Sequence, residues 1–421
     1  VPAPVRELCD RLSEAGFRSW IVGGCVRDLL RGVAVADWDL ATDATPDQVR
    51  RVFRRTIPTG IAHGTVTVLH RGVPYEVTTL RGEGAYTDGR RPDEVRFVSS
   101  IEEDLARRDF TVNAIAYDPR AGQIVDPWGG VADLAARRIR AVRDPRERFS
   151  EDGLRVLRAA RFVATLEFEL DPETEAAIPP TLDTFRKVSA ERVRDEWAKT
   201  LVQARAPSRA FEVMRRTGIL AISAPALAAL DDAAFARTIA RLDAAEPSVP
   251  VRIAALLLEA GGDHERWMRA MRFSNEEQKI ALHLLRALPA LGVDLDVLEG
   301  PALRRALQRA SREHFHRVMG LARADRIARR LPIEPLDRLE ARARAELERG
   351  VPLEVGDLAI DGCAVMRAIG SGPGRHVGQI LGALLERVIE DPERNDEATL
   401  IALVPEIAAA LAAPAPRGGP S

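Results

Sequence analysis

Lysine is almost missing from this chain. Of 421 residues, 61 are basic, yet only Lys187, Lys199 and Lys279 are lysines and the rest are arginine. That bias is the mark of a GC-rich coding sequence. Cysteine is also scarce: Cys9, Cys25 and Cys363 are scattered and odd in number. They offer neither zinc-ligand nor disulfide spacing and suit a reducing cytosol. Long apolar runs are missing as well. Leu400 to Ala413 is broken by Pro405 and Glu406 and is too short to span a bilayer. Arg6, Glu7 and Asp10 stand where a secretion signal would carry its apolar core. The expectation is therefore a cytoplasmic protein with no membrane partner. The length exceeds what one compact core supports, so two or more domains are expected.

The net charge of −2 conceals two basic islands. Nine arginines face four acids between Arg137 and Arg161, and thirteen face seven acids between residues 301 and 350. Such islands are compatible with an anionic partner.

The first 130 residues alternate in period. Ser19 to Val22 and Asp37 to Ala41 are short strand candidates, and Thr65 to Leu69 with Tyr75 to Thr79 forms a hairpin around Arg71-Gly72. Helices are predicted over Val5 to Ala15 and over Pro46 to Phe53, the second capped by Thr45. After Pro127-Trp128-Gly129-Gly130 the strand signal ends and helix follows helix, punctuated by prolines and by Gly370 to Gly374. The expected architecture is a small α/β head on a long all-α remainder. Residues 413 to 421 are rich in Pro and Gly, as a disordered tail would be.

Three segments carry chemistry. In Val22-Gly23-Gly24-Cys25-Val26-Arg27-Asp28, a strand ends in two glycines and a helix begins. Glycine at that corner lets backbone N–H groups approach a phosphate chain, and Arg27 can add a guanidinium. Asp37-Trp38-Asp39 follows. On a strand, residues two apart share a side, so two carboxylates converge. That pair needs a cation, and Mg²⁺ prefers carboxylate oxygens while keeping positions open for triphosphate oxygens. The second segment is Arg107-Arg108-Asp109-Phe110-Thr111-Val112-Asn113-Ala114. Placed before an apolar helix, its arginines suit a phosphate or ribose, with Asp109 orienting an arginine. In the third, Phe149 to Phe162, a helix would set Asp152 and Glu151 within one turn of Arg155, with Arg158 and Arg161 on the same flank. A carboxylate acceptor beside an arginine fork suits the Watson–Crick edge of a base.

In this order and spacing the three segments resemble the class II tRNA nucleotidyltransferase and bacterial poly(A) polymerase family. They match its motifs Gly-Gly-x-x-Arg-Asp with Asp-x-Asp, Arg-Arg-Asp-Phe-Thr-x-Asn-Ala, and Glu-Asp-x-x-Arg. Ser189-Ala190-Glu191-Arg192 through Glu196 is similar to the family's fifth motif, a helix start. The resemblance is strong over about residues 17–200 and weaker beyond.

It implies a DNA polymerase β-like nucleotidyltransferase head (1–135), a helical neck that recognises the base (136–200), a body (201–300) and a tRNA-binding tail (301–412). It also implies addition of CCA to the tRNA 3′ end from CTP and ATP, without a template and with release of pyrophosphate. The metal carboxylates would be Asp37 and Asp39. Nucleotide would be held by Gly24, Arg27, Arg108, Asp109, Asp152, Arg155, Arg158 and Arg161. Gly23, Glu76, Asn113 and Glu151 are further candidates, Glu76 as a third carboxylate.

Thr59 to Val66 lacks the Gly-Arg-Arg-Phe segment of poly(A) polymerases. The full polar loop from Leu80 to Pro92, with Gly82, Gly84 and Gly89, disfavours addition of CC alone. Addition of the terminal A alone keeps the same loop and stays open. Some relatives carry a His-Asp phosphohydrolase pair where this chain has Leu258 and Glu259, so that activity is not expected. His264 is read as a loop or surface histidine. Gly370 to Gly374 is read as a turn opening a helix, able to offer N–H groups to an RNA phosphate. Oligomeric state is left open.

Overall fold

The computed structural model describes residues 1–61, 64–82, 96–292 and 295–412. The tail from 413 to 421 and, of the polar loop from Leu80 to Pro92, the residues from Glu83 onward lie outside the described residues. The chain divides into two compact units, residues 1–230 with 269–272 and residues 231–268 with 273–421.

The first unit opens on a seven-stranded sheet in the order β3-β4-β5-β2-β1-β6-β7. Its strands are β1 (Ser19–Val22), β2 (Asp39–Thr42), β3 (Thr56–Gly60), β4 (Thr65–His70), β5 (Val73–Thr79), β6 (Ala116–Asp118) and β7 (Gln123–Val125). Every pairing is antiparallel except β2 with β5. Alternation along the strands gives the sheet two faces. Leu40, Val66, Val68, Tyr75 and Val77 pack beneath α1 (Ala3–Glu14) and α3 (Pro46–Val52), where Val5, Leu8, Leu12, Val49 and Phe53 complete a core. Thr45 caps α3 as expected, in a reciprocal box with Gln48. Trp20, Val22 and Ala41 lie on the other face with Ile101 and Leu105 of α4 (Ile101–Ala106).

Two expectations fail here. β2 begins at Asp39, so Asp37 precedes the strand rather than opening it. The segment after Arg108 does not enter an apolar helix; it makes one 3₁₀ turn, Thr111–Asn113, and runs into β6. Its apolar residues are buried beside the sheet edge and α5 (Gly130–Ala135), where a strand serves better than a helix. Strand structure also continues past Gly130, as the short parallel pair β8 (Arg138–Ile139) and β9 (Glu169–Leu170).

Helices then dominate. α6 (Pro145–Glu151) is capped by Asp144 and ends at Asp152, whose φ of −141° is extended. α7 (Leu154–Leu166) restarts after Gly153. The expected single helix through Glu151, Asp152 and Arg155 is thus two helices with a corner. α8 (Pro172–Ala176) and α9 (Leu182–Arg186) follow, and α10 (Ala190–Gln203) starts at Ser189, where a helix start was expected. Trp197 of α10 meets Phe211 edge to face, with ring centroids 5.0 Å apart.

The second unit is helical throughout its described residues. One core gathers Val365, Ile380, Leu384, Val388, Leu400 and Val404. Elsewhere Arg241 is fully buried against Glu259 and Asp325. His264 is half-buried at the start of the helix His264–Ala270, not in a loop. Pro405 sits inside the helix Glu397–Ala412, and the turn after Gly370 opens the helix Arg375–Glu390 as expected. Among the described residues no helix is long and apolar enough to cross a membrane.

The corner at Asp152 depends on a missing side chain. A Cβ on Gly153 would lie 2.5 Å from the backbone of Thr184 and Phe185 in α9. Because its φ of −58° is ordinary, the demand is purely steric. Gly153→Ala is expected to destabilise the protein by about 1–3 kcal/mol through overpacking, measured by urea denaturation; an unchanged midpoint would mean that α9 yields freely.

Candidate active site

A cavity of about 740 Å³ opens where β1, β2 and β5 meet α7 and α10. Gly23, Gly24, Arg27, Asp37, Asp39, Glu76, Arg108, Asp109, Asn113, Asp152, Arg155, Arg158 and Arg161 all line it. Of the expected site residues only Glu151 is absent from the lining, and it holds Arg155 from behind. A wider hollow of about 1000 Å³ lies beneath the opposite sheet face, between α1 and α3; its lining lacks the carboxylates and neck arginines of the first.

Asp39 opens β2 directly in register with Glu76 on β5. Burial pushes the Asp39 carboxyl above its ordinary value; the charges of Glu76 and Asp37 add to this against the opposing pull of Arg108. Three acids with too little positive charge among them invite a cation. Among the described residues no three acid, His or Cys side chains gather closely enough to enclose one. The donor set still fits Mg²⁺, which typically takes one or two protein carboxylates and completes its shell with water and phosphate oxygens.

Gly23 joins β1 to α2 (Gly24–Leu30) with φ +80°, in the region that favours glycine. A Cβ there would also come within 2.7 Å of Arg108 Nη1. The glycine therefore makes room for the guanidinium. Arg108 donates to Asp104 at 3.2 Å and to the Asn113 carbonyl at 3.3 Å. Asp104 is buried and also takes Arg107. Burial would raise its carboxyl, but Arg107 and Arg108 outweigh that and hold it low.

From Arg27 a chain of polar contacts crosses the cavity wall. Arg27 forks onto Asp28 at 2.9 and 2.8 Å and donates to Asn113 Oδ1 at 2.7 Å. Asn113 donates to Asp109 at 3.1 Å. Asp109 takes Arg158 through Nε at 2.8 Å and Nη2 at 2.6 Å. Glu196 on α10 then accepts from Arg158 at 3.5 Å and from Arg161 at 2.5 Å. The guanidinium of Arg161 stacks 4.0 Å from the Phe162 ring, with Arg158 and Arg27 at 5.3 and 5.6 Å.

At the α6–α7 corner, three of the five N–H donors of Arg155 go to the Arg148 carbonyl, Glu151 and the Arg107 carbonyl. Asp152 accepts from Leu154 N–H at 3.0 Å and from Arg192 Nη2 at 2.6 Å. Asp152 and Arg155 thus share the cavity, each on its own partners.

Asp104, Lys199 and Gln203 were missed by the sequence reading, and Arg192 was read only as part of a helix start, with no role at the site. Asp104 stands three and four residues before Arg107 and Arg108, a spacing that could have found it. Lys199 and Gln203 line the cavity and continue a stripe of every third or fourth residue from Arg192 and Glu196. The motif resemblance reaches Arg192 and Glu196, and nothing local extends it to Lys199 and Gln203.

Burial alone would raise the Asp109 carboxyl. The Arg158 charge, the hydrogen bonds of Asn113 and Arg158 and the Arg155 charge reverse this and hold it down to about 2. A folded-state value below the unfolded one stabilises the protein at neutral pH, and the benefit is lost as pH falls through the unfolded value towards the folded one. Asp109→Asn is expected to cost about 2 kcal/mol at pH 7. Urea denaturation should show the gap to wild type closing between about pH 5 and pH 2; a gap constant with pH would refute the charge-based account.

Comparison with known proteins agrees with this geometry. Residues 19–140 match the poly A polymerase head domain, and residues 167–230 match the probable RNA and SrmB-binding site of polymerase A. The chain is 36% identical over 398 residues to the CCA-adding enzyme of Lactobacillus delbrueckii subsp. bulgaricus, covering 93% of this chain and 95% of that one. With the CCA-adding enzyme of Lactobacillus helveticus, identity is 52% over 188 residues, 45% of this chain and 47% of the other. The crystal structure of the Bacillus stearothermophilus CCA-adding enzyme in complex with CTP is similar with a TM-score of 0.78 and 32% identity, covering 98% of this chain and 99% of that one. A polymerase-type head with paired acids, followed by an arginine-lined helical wall and matched over nearly its full length, places this chain in the CCA-adding enzyme family of tRNA nucleotidyltransferases.

Proposed function

We propose that this chain adds CCA to the 3′ end of tRNA, using CTP and ATP as substrates and releasing pyrophosphate. The observation that carries the reading is one cavity holding paired acids, a wall of tethered arginines and a carboxylate beside an arginine fork. Asp37 and Asp39, with Glu76 as a third carboxylate, would hold Mg²⁺. When bound, that ion would stabilise charge on the phosphates and ease ionisation of the attacking hydroxyl.

The protein's own residues supply position and field. Gly23 and Gly24 leave the strand-to-helix corner open to a triphosphate, and Arg27, Arg108, Arg158 and Arg161 meet its charge. Their carboxylate partners fix these arginines before substrate arrives, so little ordering remains for binding to do. The tRNA 3′ hydroxyl attacks the α-phosphorus and pyrophosphate departs. Base choice follows from complementarity. Cytosine and adenine both present an amine donor next to a ring-nitrogen acceptor; uracil and guanine present a carbonyl next to an N–H. Asp152 accepts and Arg155 donates, so C and A fit where U and G are repelled.

The division into head (1–135), neck (136–200), body (201–300) and tail (301–412) belongs to the same reading, with the basic island from 301 to 350 and the turn after Gly370 serving the tRNA. The free thiols of Cys9, Cys25 and Cys363 accord with a cytoplasmic setting.

The test uses three tRNA transcripts, ending before CCA, after C and after CC, each given Mg²⁺ with CTP, ATP or both. Completion of all three to CCA is expected at single-nucleotide resolution. Extension of only the CC-ended transcript, by one A, would make the chain an A-adding enzyme, and long A tails would make it a poly(A) polymerase. Asp37→Ala and Asp39→Ala should each reduce every addition to background. Asp152→Ala should leave transfer measurable while narrowing the preference for C and A about tenfold, the worth of one charge-assisted hydrogen bond; full selectivity in that variant would remove Asp152 from base reading.

A further inference from the structure

α10 presents Arg192, Glu196, Lys199 and Gln203 at spacings of four, three and four, which is one face of a helix. Glu196 on that face fixes Arg158 and Arg161, and Lys199 and Gln203 line the nucleotide cavity. Arg192 stands at the first turn of the stripe, behind the α6–α7 corner, and its Nη2 donates to Asp152 Oδ2 at 2.6 Å.

Asp152 needs such a partner. It sits between two helices with an extended backbone, so no helical neighbour dictates its side-chain direction. Its Oδ1 is occupied by the N–H of Leu154, which caps the start of α7. That single bond leaves the carboxylate free to swing about it; the second bond, from Arg192, sets the plane. Each oxygen keeps a lone pair, and with both oxygens anchored those lone pairs have fixed directions. The dependence runs the other way too. Among the described residues Arg192 Nη1 is buried without an acceptor, and Asp152 is the one carboxylate that Arg192 meets. Arg27, Arg108, Arg155 and Arg158 on the cavity wall each hold more than one group, whereas Arg192 serves a single carboxylate.

We propose that Arg192 is a positioning residue for base selection: it aims the Asp152 carboxylate so that an exocyclic amine is accepted and a carbonyl is refused. The inference rests on reading the cavity as a CTP and ATP site. Its chemistry predicts an effect on base choice rather than on transfer in general, because Arg192 touches neither the acid pair nor the arginines of the phosphate wall. Lysine keeps the charge but loses the planar fork, so it cannot set the carboxylate plane as arginine does.

The experiment measures single-turnover incorporation by the full chain of CTP against UTP on a tRNA lacking CCA, and of ATP against GTP on a tRNA ending in CC. Wild type, Arg192→Met and Arg192→Lys are compared, with melting temperature and inhibition by pyrophosphate measured alongside. Arg192→Met should lower both C-over-U and A-over-G ratios about tenfold, the effect of releasing one charge-assisted hydrogen bond. Arg192→Lys should fall between Arg192→Met and wild type, and the pyrophosphate inhibition constant should stay at the wild-type value. Equal loss for all four nucleotides, or unchanged ratios, would overturn the proposal. Should Arg192→Met fail to fold, Arg192→Lys decides alone: wild-type ratios there overturn it. A wild-type chain that takes all four bases alike would overturn the reading of the cavity and this inference with it, and that outcome appears in the wild-type arm before any variant is considered.

Discussion

Asp109 holds its negative charge in the protein interior because Arg158 lies against it at 2.6 Å. Around that pair the acid-base order alternates, from Asp28 through Arg27, Asn113, Asp109 and Arg158 to Glu196 and Arg161. Buried charges are costly singly and tolerable when each is paired and hydrogen-bonded. Asp109 and Asn113 come from the strand-edge segment of the head, whereas Arg158, Arg161 and Glu196 come from the helices that follow. The same bonds that repay desolvation therefore fasten the helical wall to the catalytic sheet. Removing Glu196 would leave Arg161 uncompensated, and removing Asp109 would leave Arg158 with only its longer contact to Glu196.

A second constraint is room. Gly23 yields its space to Arg108, and Gly153 yields its space to the backbone of α9. Gly130 is tighter still: a Cβ there would fall 2.2 Å from the Thr111 carbonyl, at the turn that sends Asn113 towards Arg27. Electrostatics fixes the directions of the functional groups, and these glycines let the segments approach closely enough for short bonds to form.

How much of this was legible in the sequence follows from the range of each interaction. β1, the β4–β5 hairpin and the capped start of α3 are written in neighbouring residues, and they fall where the pattern placed them. The paired acids and the arginine series were legible as motifs, and they share one cavity. The strands β3, β6 and β7 were not found. Thr56–Gly60 contains a proline and a glycine, and β6 and β7 span three residues each, too short for alternation to register. The corner at Asp152 was hidden because Glu151, Asp152 and Arg155 carry a helical spacing. It is enforced by contact of Gly153 with a segment thirty residues away, which no local pattern reports. Arg192 was legible as part of a helix-start motif, but its contact with Asp152 was hidden for the same reason, since that partner lies forty residues back.

The shortage of lysine has a structural counterpart. Arg155 reaches from α7 to the carbonyl of Arg107 at 2.9 Å, and Arg148 reaches from α6 to the carbonyl of Ala106 at 3.1 Å. Both also hold Glu151. A guanidinium presents donors in fixed directions over a flat frame, so one side chain can join a carboxylate on its own helix to a backbone carbonyl on another element. An ammonium concentrates its charge at one point and cannot impose that geometry. The end of α4 and the corner that carries Asp152 are thus tied together by two bridges of this kind, each ending on a backbone carbonyl of the head. Lys199 is the exception on this wall: half exposed, 3.7 Å from Glu196 and lining the cavity, it holds no second element in place. The acid it meets, Glu196, lies on its own helix, so the ammonium joins nothing across the wall, as a compact point charge on a flexible stem would be expected to behave.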